Sequence, residues 1–395
     1  MVKSILSLAA LALSVLPSLT LAAPAQNGPK GSHGPKGHGG SHFPVVDKWL
    51  ENKCPGKYNQ APCNEKTIRV RQDFDKMAPL DRKAYTDAIN CLRTKPSQLD
   101  QTLYPAATDR FMDYAVVHVN QTKVVHLDGF FLTWHRYFLW LFEQDLEAQC
   151  GYTGAFPYWN WPATADNLKG SPIFDGSEYS MSGDGLYTNS SPVVLSPSFS
   201  IPHGSGGGCV TDGPFANMSV PMANIPSSVI VQGLPLPPTA FNLRPNCLTR
   251  DLNTYAAQTW CNYDALYSAL DAPTIANFST QVNGVPGGGS LGLHSGAHFT
   301  MGAPASSLFV SPQDPIWYPL HTFLDHLYTS WQIRHPDLAN AVYGTQTALN
   351  LPPSANMTLD TIEPNWGYFQ PGPIAVGELM STTAGPFCYK YDVAL

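Results

Sequence analysis

Of the twelve histidines in this 395-residue chain, six fall into two sets of three: His118, His126 and His135, then His294, His298 and His321. His294 and His298 stand at i, i+4 and share one face of any helix that carries them. His135 lies inside "FLTWHRYF", among the most apolar stretches of the chain. A lone histidine on an apolar helix face is ordinarily a core residue with one hydrogen bond, and an i, i+4 pair arises often by chance. Two sets of three, flanked by aromatics, point instead to a pair of metal centres, because imidazole is the usual ligand of copper and zinc. No carboxylates stand beside these histidines, which argues against a di-iron site, and HExxH is absent, which argues against a zinc peptidase. His203 and His335 have no matching partner and read as surface residues.

The elements that must position these side chains are helical. Residues 79–93 have helical spacing with Asp81 near the start, and residues 107–118 read as a second helix ending at His118. Asp128-Gly129 breaks the chain, which leaves His126 in a loop and His135 in a long third helix over 130–149. Residues 293–299 and 316–334 predict two more, carrying the second set. Arg136 points to a different face from His135 and is expected to pair with a carboxylate. Residues 160–245, rich in Gly, Pro, Ser and Asn, predict long loops, with "SVIVQG" among the few strand signals. The fold class is mainly α: a four-helix-bundle core, where a metal pair is naturally held, wrapped by long loops and a few short strands.

Hydrophobic residues make up 43% of the chain and charged residues only 13%, against about 25% in an average soluble protein. Net charge is −7, and no basic run follows the extreme N-terminus, so nucleic acid is excluded as a partner. Residues 1–22 read as a secretory signal peptide, and no later stretch is long enough to span a bilayer. Residues 23–44 form a Gly/Pro/His-rich tail, including His33, His38 and His42, that cannot offset its ordering entropy. Residues 45–395 then read as one globular domain. The eight cysteines include no CxxC pair; behind a signal peptide they predict disulfides and no free thiols, with the pairing open. Sequons at Asn120, Asn189, Asn217, Asn277 and Asn356 fit a secreted, extracellular glycoprotein, expected to be a monomer.

"DGFFLTWHRYFLWLFE" resembles the copper-A signature of tyrosinases, catechol oxidases and related type 3 dicopper proteins. "HSGAHF" followed by "SPQDPIWYPLHTFLDHLYTSW" resembles their copper-B signature. "FPYWNW" is similar to the family's PYW-D/N-W motif, and "RVR" at 69–71 and "YKY" at 389–391 to the motifs that open and close its catalytic core. The resemblance covers nearly all of residues 50–395, and the short, secreted fungal members without a C-terminal lid domain match its order and spacing best. It implies that His118, His126 and His135 bind copper A, that His294, His298 and His321 bind copper B, and that Asp325 and Asn160 support these ligands from behind. Leu320 stands where the family usually has a further histidine. His326 stands where it usually has arginine and is expected to be structural.

Two copper ions per chain, with O2 as co-substrate, would then oxidise a small phenolic substrate. Departures from the pattern shape the expected scope. Ser295 follows His294 where monophenol-hydroxylating members often carry Asn, and "NGVPGGGSLGL" lacks their upstream glutamate. Oxidation of o-diphenols to o-quinones, with weak or no monophenol hydroxylation, is therefore expected, with Ser295 and Phe299 as substrate-pocket candidates. Val124 replaces the cysteine that many members cross-link to the second copper-A histidine, so no thioether is expected. The alternatives are a tyrosinase with true monophenolase activity, an oxidase of an o-aminophenol or secondary-metabolite phenol, and, in a different class, a haemocyanin-like oxygen binder.

Overall fold

The computed structural model describes residues 63–286, 288–364 and 372–395, together with Leu50, Asn52, Lys53 and Lys57. The expected signal peptide (1–22) and tail (23–44) lie outside the described residues, as does Cys54.

Local signals fix where each helix begins. Helix α1 (Pro79–Leu92) opens on proline at its first position, where a missing N–H costs nothing. Helix α2 (Arg110–Gln121) starts three residues later than its spacing predicts, because Asp109 Oδ1 accepts the Met112 N–H at 3.0 Å and so stands outside the helix as its cap. Helix α3 (Phe131–Cys150) runs unbroken for 20 residues and ends on Gly151, whose φ of 68° is the left-handed stop that glycine adopts without strain. Helices α4 (Thr254–Trp260), α5 (Tyr263–Leu270) and α6 (Ile275–Asn283) were not anticipated, although Asn253, Asn262 and Thr274 cap them through their side chains. Helices α7 (Gly292–Met301) and α8 (Trp317–Arg334) fall where expected. Residues 228–231 of "SVIVQG" form a helical turn rather than a strand. Their β-branched side chains find no neighbouring strand, and Val229 and Ile230 are buried from a turn that follows Pro226.

Strands are short. β1 (Arg69–Asp73) lies between β2 (Pro157–Tyr158) and β3 (Tyr389–Tyr391), parallel to both, with Arg69 opposite Tyr389 and Arg71 opposite Tyr391. "RVR" and "YKY" are thus adjacent strands. The loops over 160–245 are pinned by three two-stranded antiparallel pairs: Gly185–Tyr187 with Gly207–Val210, Val193–Ser196 with Phe199–Ile201, and Ser219–Val220 with Asn246–Cys247. Disulfides join Cys63 to Cys388, Cys91 to Cys150 and Cys209 to Cys247.

Cys261 corrects the expectation of no free thiols. It is buried and unpaired at the end of α4, with its thiol donating to Leu293 O on α7. A Cβ built on Gly296 of α7 would fall 2.4 Å from Trp260 Cβ and 3.4 Å from Cys261 Sγ. The thiol acts as a small apolar filler where α4 and α7 cross closely, which a cysteine count cannot distinguish from half of a disulfide.

Beneath the helices lies a buried charged network. Asp325 on α8 accepts from Arg136 Nε at 2.6 Å, Arg71 Nη1 at 3.2 Å, Tyr389 OH at 2.6 Å and Tyr391 OH at 2.5 Å. Arg71 also donates to Glu143 at 2.9 Å. One carboxylate thereby ties α3, α8, β1 and β3 together. Among the described residues, no helix is long and apolar enough to cross a membrane.

Candidate metal centre

In the first triad, His118 comes from α2, His126 from the loop after it and His135 from α3. Each Nδ1 is used by a backbone carbonyl: His118 on Phe309 at 2.8 Å, His126 on Thr122 at 3.2 Å and His135 on Phe131 at 2.6 Å. A carbonyl only accepts, so Nδ1 carries the proton and Nε2 presents a lone pair. The Nε2 atoms of His118 and His135 are buried with no hydrogen-bond partner. Such orphans are costly unless something else binds them.

The second triad converges more tightly. Nε2 of His298 lies 3.0 Å from Nε2 of His294 and 3.1 Å from that of His321, and the remaining pair is 3.3 Å apart. His298 Nδ1 donates to Ala305 O at 2.6 Å, and His294 Nδ1 to Asn283 Oδ1 at 3.1 Å. His321 Nδ1 has no partner, so the lone pairs fixed by hydrogen bonding are those of His294 and His298, and at 3.0 Å these two repel unless a proton or a cation sits between them. In each triad all ligand atoms lie within 4.8 Å of one another, which suits one metal ion per triad.

Burial pushes all six imidazoles below their usual pKa, His126 to about 3 and His298 to about 4. They are neutral at pH 7, the form that binds metal. Aromatics close the site. Trp317 stacks on His321 at 3.8 Å, His135 and His321 stack across the two triads at 4.7 Å, and Phe131 packs against both His126 and His294.

The other predicted residues fall at varied distances from this chemistry. Arg136 pairs with a carboxylate as expected, and that carboxylate is Asp325. Asp325 therefore acts on the neighbour of His135 and on the helix of His321. Asn160 donates to Asp73 at 3.4 Å, and its motif reaches α8 through Trp159 N–H to Pro319 O at 2.9 Å. Ser295 is half-buried with its hydroxyl donating to Asn283 O at 3.3 Å, and Phe299 is half-buried against the core. His326 is buried, stacked on Tyr391 at 4.0 Å and bonded to Val393 O. His203 and His335, expected at the surface, are half-buried: His203 faces Asp251 at 3.7 Å and His335 stacks on Trp331 at 4.9 Å. Asn189, Asn217, Asn277 and Asn356 are exposed, whereas Asn120 donates to Tyr104 from within α2.

Asn283 was missed, because it closes a helix that the spacing did not reveal. The carbonyls of Phe309, Thr122, Phe131 and Ala305 carry no signal in residue type.

Residues 108–334 match the family model described as the common central domain of tyrosinase. The chain belongs to the tyrosinase family. It is 36% identical over 329 residues to "Tyrosinase P" of Aspergillus terreus, covering 82% of this chain and 91% of that one. It is also 36% identical over 346 residues to "N-acetyl-6-hydroxytryptophan oxidase ivoB" of Emericella nidulans, covering 84% and 94%. Among solved structures, a polyphenol oxidase mutant (G292N) from Thermothelomyces thermophila superposes with a TM-score of 0.76 at 33% identity, over 88% of this chain and 94% of that one. The protein is thus a copper oxidoreductase of the tyrosinase family, with two copper ions per chain and dioxygen as co-substrate, and the orphaned Nε2 lone pairs fit that metal.

Proposed function

We propose that the protein oxidises o-diphenols to o-quinones with O2, and that it hydroxylates monophenols weakly or not at all. In this reading His118, His126 and His135 hold copper A, and His294, His298 and His321 hold copper B. The observation that carries it is the convergence of neutral Nε2 atoms in two buried triads. When bound, the copper pair supplies the redox chemistry by which O2 takes up electrons from the substrate. The chain's own part is geometric and electrostatic. Nδ1 hydrogen bonds fix the tautomers of His118, His126, His135, His294 and His298. The Trp317 ring stacks on His321, whose Nδ1 has no partner, and Trp134, Phe138 and Trp317 keep the interior apolar. A general base must reach the proton it takes. Residues 284–293 carry no carboxylate, and the Ser295 hydroxyl is engaged by Asn283 O, so nothing in this stretch offers a strong base to a phenol. Ser295 and Phe299 remain the substrate-pocket candidates of this reading.

A second reading is oxidation of one hydroxylated aromatic of secondary metabolism. The Emericella nidulans relative, 36% identical, carries a name of that kind. The deciding experiment supplies copper-loaded protein with a monophenol, a catechol and an o-aminophenol side by side. Fastest quinone formation from the catechol supports the first reading. Equal rates on matched monophenol and catechol, with no lag, would overturn it.

The three disulfides favour an oxidising compartment, so secretion behind a cleaved signal peptide, as a glycosylated monomer, completes the proposal.

A further inference from the structure

Helix α6 ends at Asn283, and α7 begins nine residues later at Gly292. The backbones on either side of this loop nearly touch: a Cβ on Gly292 would lie 2.4 Å from Gly284 N and 2.7 Å from Val282 O. Both glycines have positive φ, 70° for Gly284 and 71° for Gly292, which only glycine adopts freely. The glycine contact brings Asn283 against the first turn of α7, and there it makes two bonds. Its backbone carbonyl accepts the Ser295 hydroxyl at 3.3 Å, and its side-chain Oδ1 lies 3.1 Å from His294 Nδ1.

From this geometry we propose that Asn283 is the positioning residue of copper B, holding the His294 ring in the tautomer and orientation that present Nε2 to the metal. The inference rests on His294 being a copper-B ligand. If the amide nitrogen faced the ring, it would donate to Nδ1 and leave the ring proton on Nε2, where no metal can bind. With Oδ1 facing it, Nδ1 must carry the proton, and Nε2 is left as an acceptor 3.0 Å from Nε2 of His298. His118, His126, His135 and His298 are held at Nδ1 by backbone carbonyls, which no substitution removes. His294 is held by a side chain, at the end of a helix. That side chain also lines a cavity of about 730 Å³ together with Leu127, Thr280, Tyr343 and Met357. Truncating it enlarges an existing open space rather than leaving a void in packed core, so the variant should fold.

The test is copper retention. Wild type, Asn283→Ala, Asn283→Asp and His294→Ala are loaded with copper and challenged with a chelator, and bound copper per chain is followed in time. Ser279→Ala, which alters the same cavity wall without touching the ring, is the control. Asn283→Ala should release one of its two coppers about 10–100-fold more readily, the range typical for losing a partner that orients a ligating histidine. Asn283→Asp keeps an acceptor for Nδ1–H and should retain both coppers, as should Ser279→Ala. Retention by Asn283→Ala within twofold of wild type, while His294→Ala loses copper, overturns the role of Asn283 alone. Full retention by His294→Ala overturns the ligand assignment beneath it.

Discussion

At the scale of single residues, the six imidazoles are alike in one respect: burial favours their neutral form, and in five of them an Nδ1 hydrogen bond leaves Nε2 as the free lone pair. A ring in that state stabilises a metal and little else. His135→Ala and His298→Ala should each remove one of three ligands from their ion and weaken its binding more than the roughly 10–100-fold expected from losing a ring's supporting partner. Metal analysis after dialysis checks this, and full copper with full oxidase activity in either variant would refute the assignment. His294 and His298 were legible because a helix turns imidazoles four residues apart onto one face, and the other four because they stand among aromatics on or beside long apolar helices. Their supports were not. The carbonyls of Phe309, Thr122, Phe131 and Ala305 belong to every residue type equally, and only the fold decides which carbonyl meets which ring. Asn283 differs in having a side chain, yet an asparagine before a glycine reads first as a turn, so its role emerges only once α6 and α7 are placed.

At the scale of elements, α3 and α8 must stay in register for His135 and His321 to stack at 4.7 Å. Asp325 holds them. Burial works against its charge, but Arg136 and Arg71 outweigh that and keep its carboxyl below the usual range. Removing one partner from a buried ion pair leaves the others uncompensated, so Asp325→Ala should cost roughly 3–5 kcal/mol of stability, more than an exposed pair would. Denaturant unfolding measures it, and a loss below 1 kcal/mol would mean that the tyrosines and Glu143 suffice for the two arginines. Long periodic elements such as α1, α3 and α8 were readable from the sequence, and so was the pairing of Arg136 with a carboxylate. Helices α4 to α6 were not. They span only seven to nine residues each, too short for a periodic pattern to stand out, and they are held by packing against α7 and α8 more than by their own propensity.

At the scale of the whole molecule, the covalent ties and the buried acids set how the chain responds to its surroundings. Cys261 is buried and burial pushes its thiol up to about 12. It should therefore resist alkylation in the native state and react at once when the protein is unfolded without reductant. Peptide mapping after labelling distinguishes it from the six disulfide cysteines, and labelling of Cys261 in the folded protein would contradict the packing described at the α4–α7 crossing. The Cys63–Cys388 bond spans 325 residues and fastens the segment before β1 to the segment before β3. Replacing both cysteines by serine should cost roughly 2–5 kcal/mol, and a change in unfolding free energy below about 0.5 kcal/mol would show that β1 and β3 hold without it.

Glu363 gives the fold a pH dependence of its own. Its carboxyl is buried against α3, with the Thr133 hydroxyl and Asp128 facing it. Burial pushes it up to about 8, helped by the negative charge of Asp128 and opposed by Thr133. In the unfolded chain a glutamate loses its proton near pH 4.5. Between that pH and about 8 the native state therefore binds a proton that the unfolded state has released. Stability from this group is complete below the unfolded value and declines as pH rises, levelling off once the folded carboxyl has also ionised. The slope it contributes is at most about 1.4 kcal/mol per pH unit. Glu363→Gln keeps the shape and removes the titration, so its unfolding midpoint should fall less steeply than wild type between about pH 5 and pH 8. Groups that do not face Glu363 contribute equally to both proteins; Asp128, pushed up to about 7 by its own burial, does face it, so the two curves are compared in an Asp128→Asn background. Parallel curves across that range would show that Glu363 is ionised in the folded protein and that a donor or cation reaches it there.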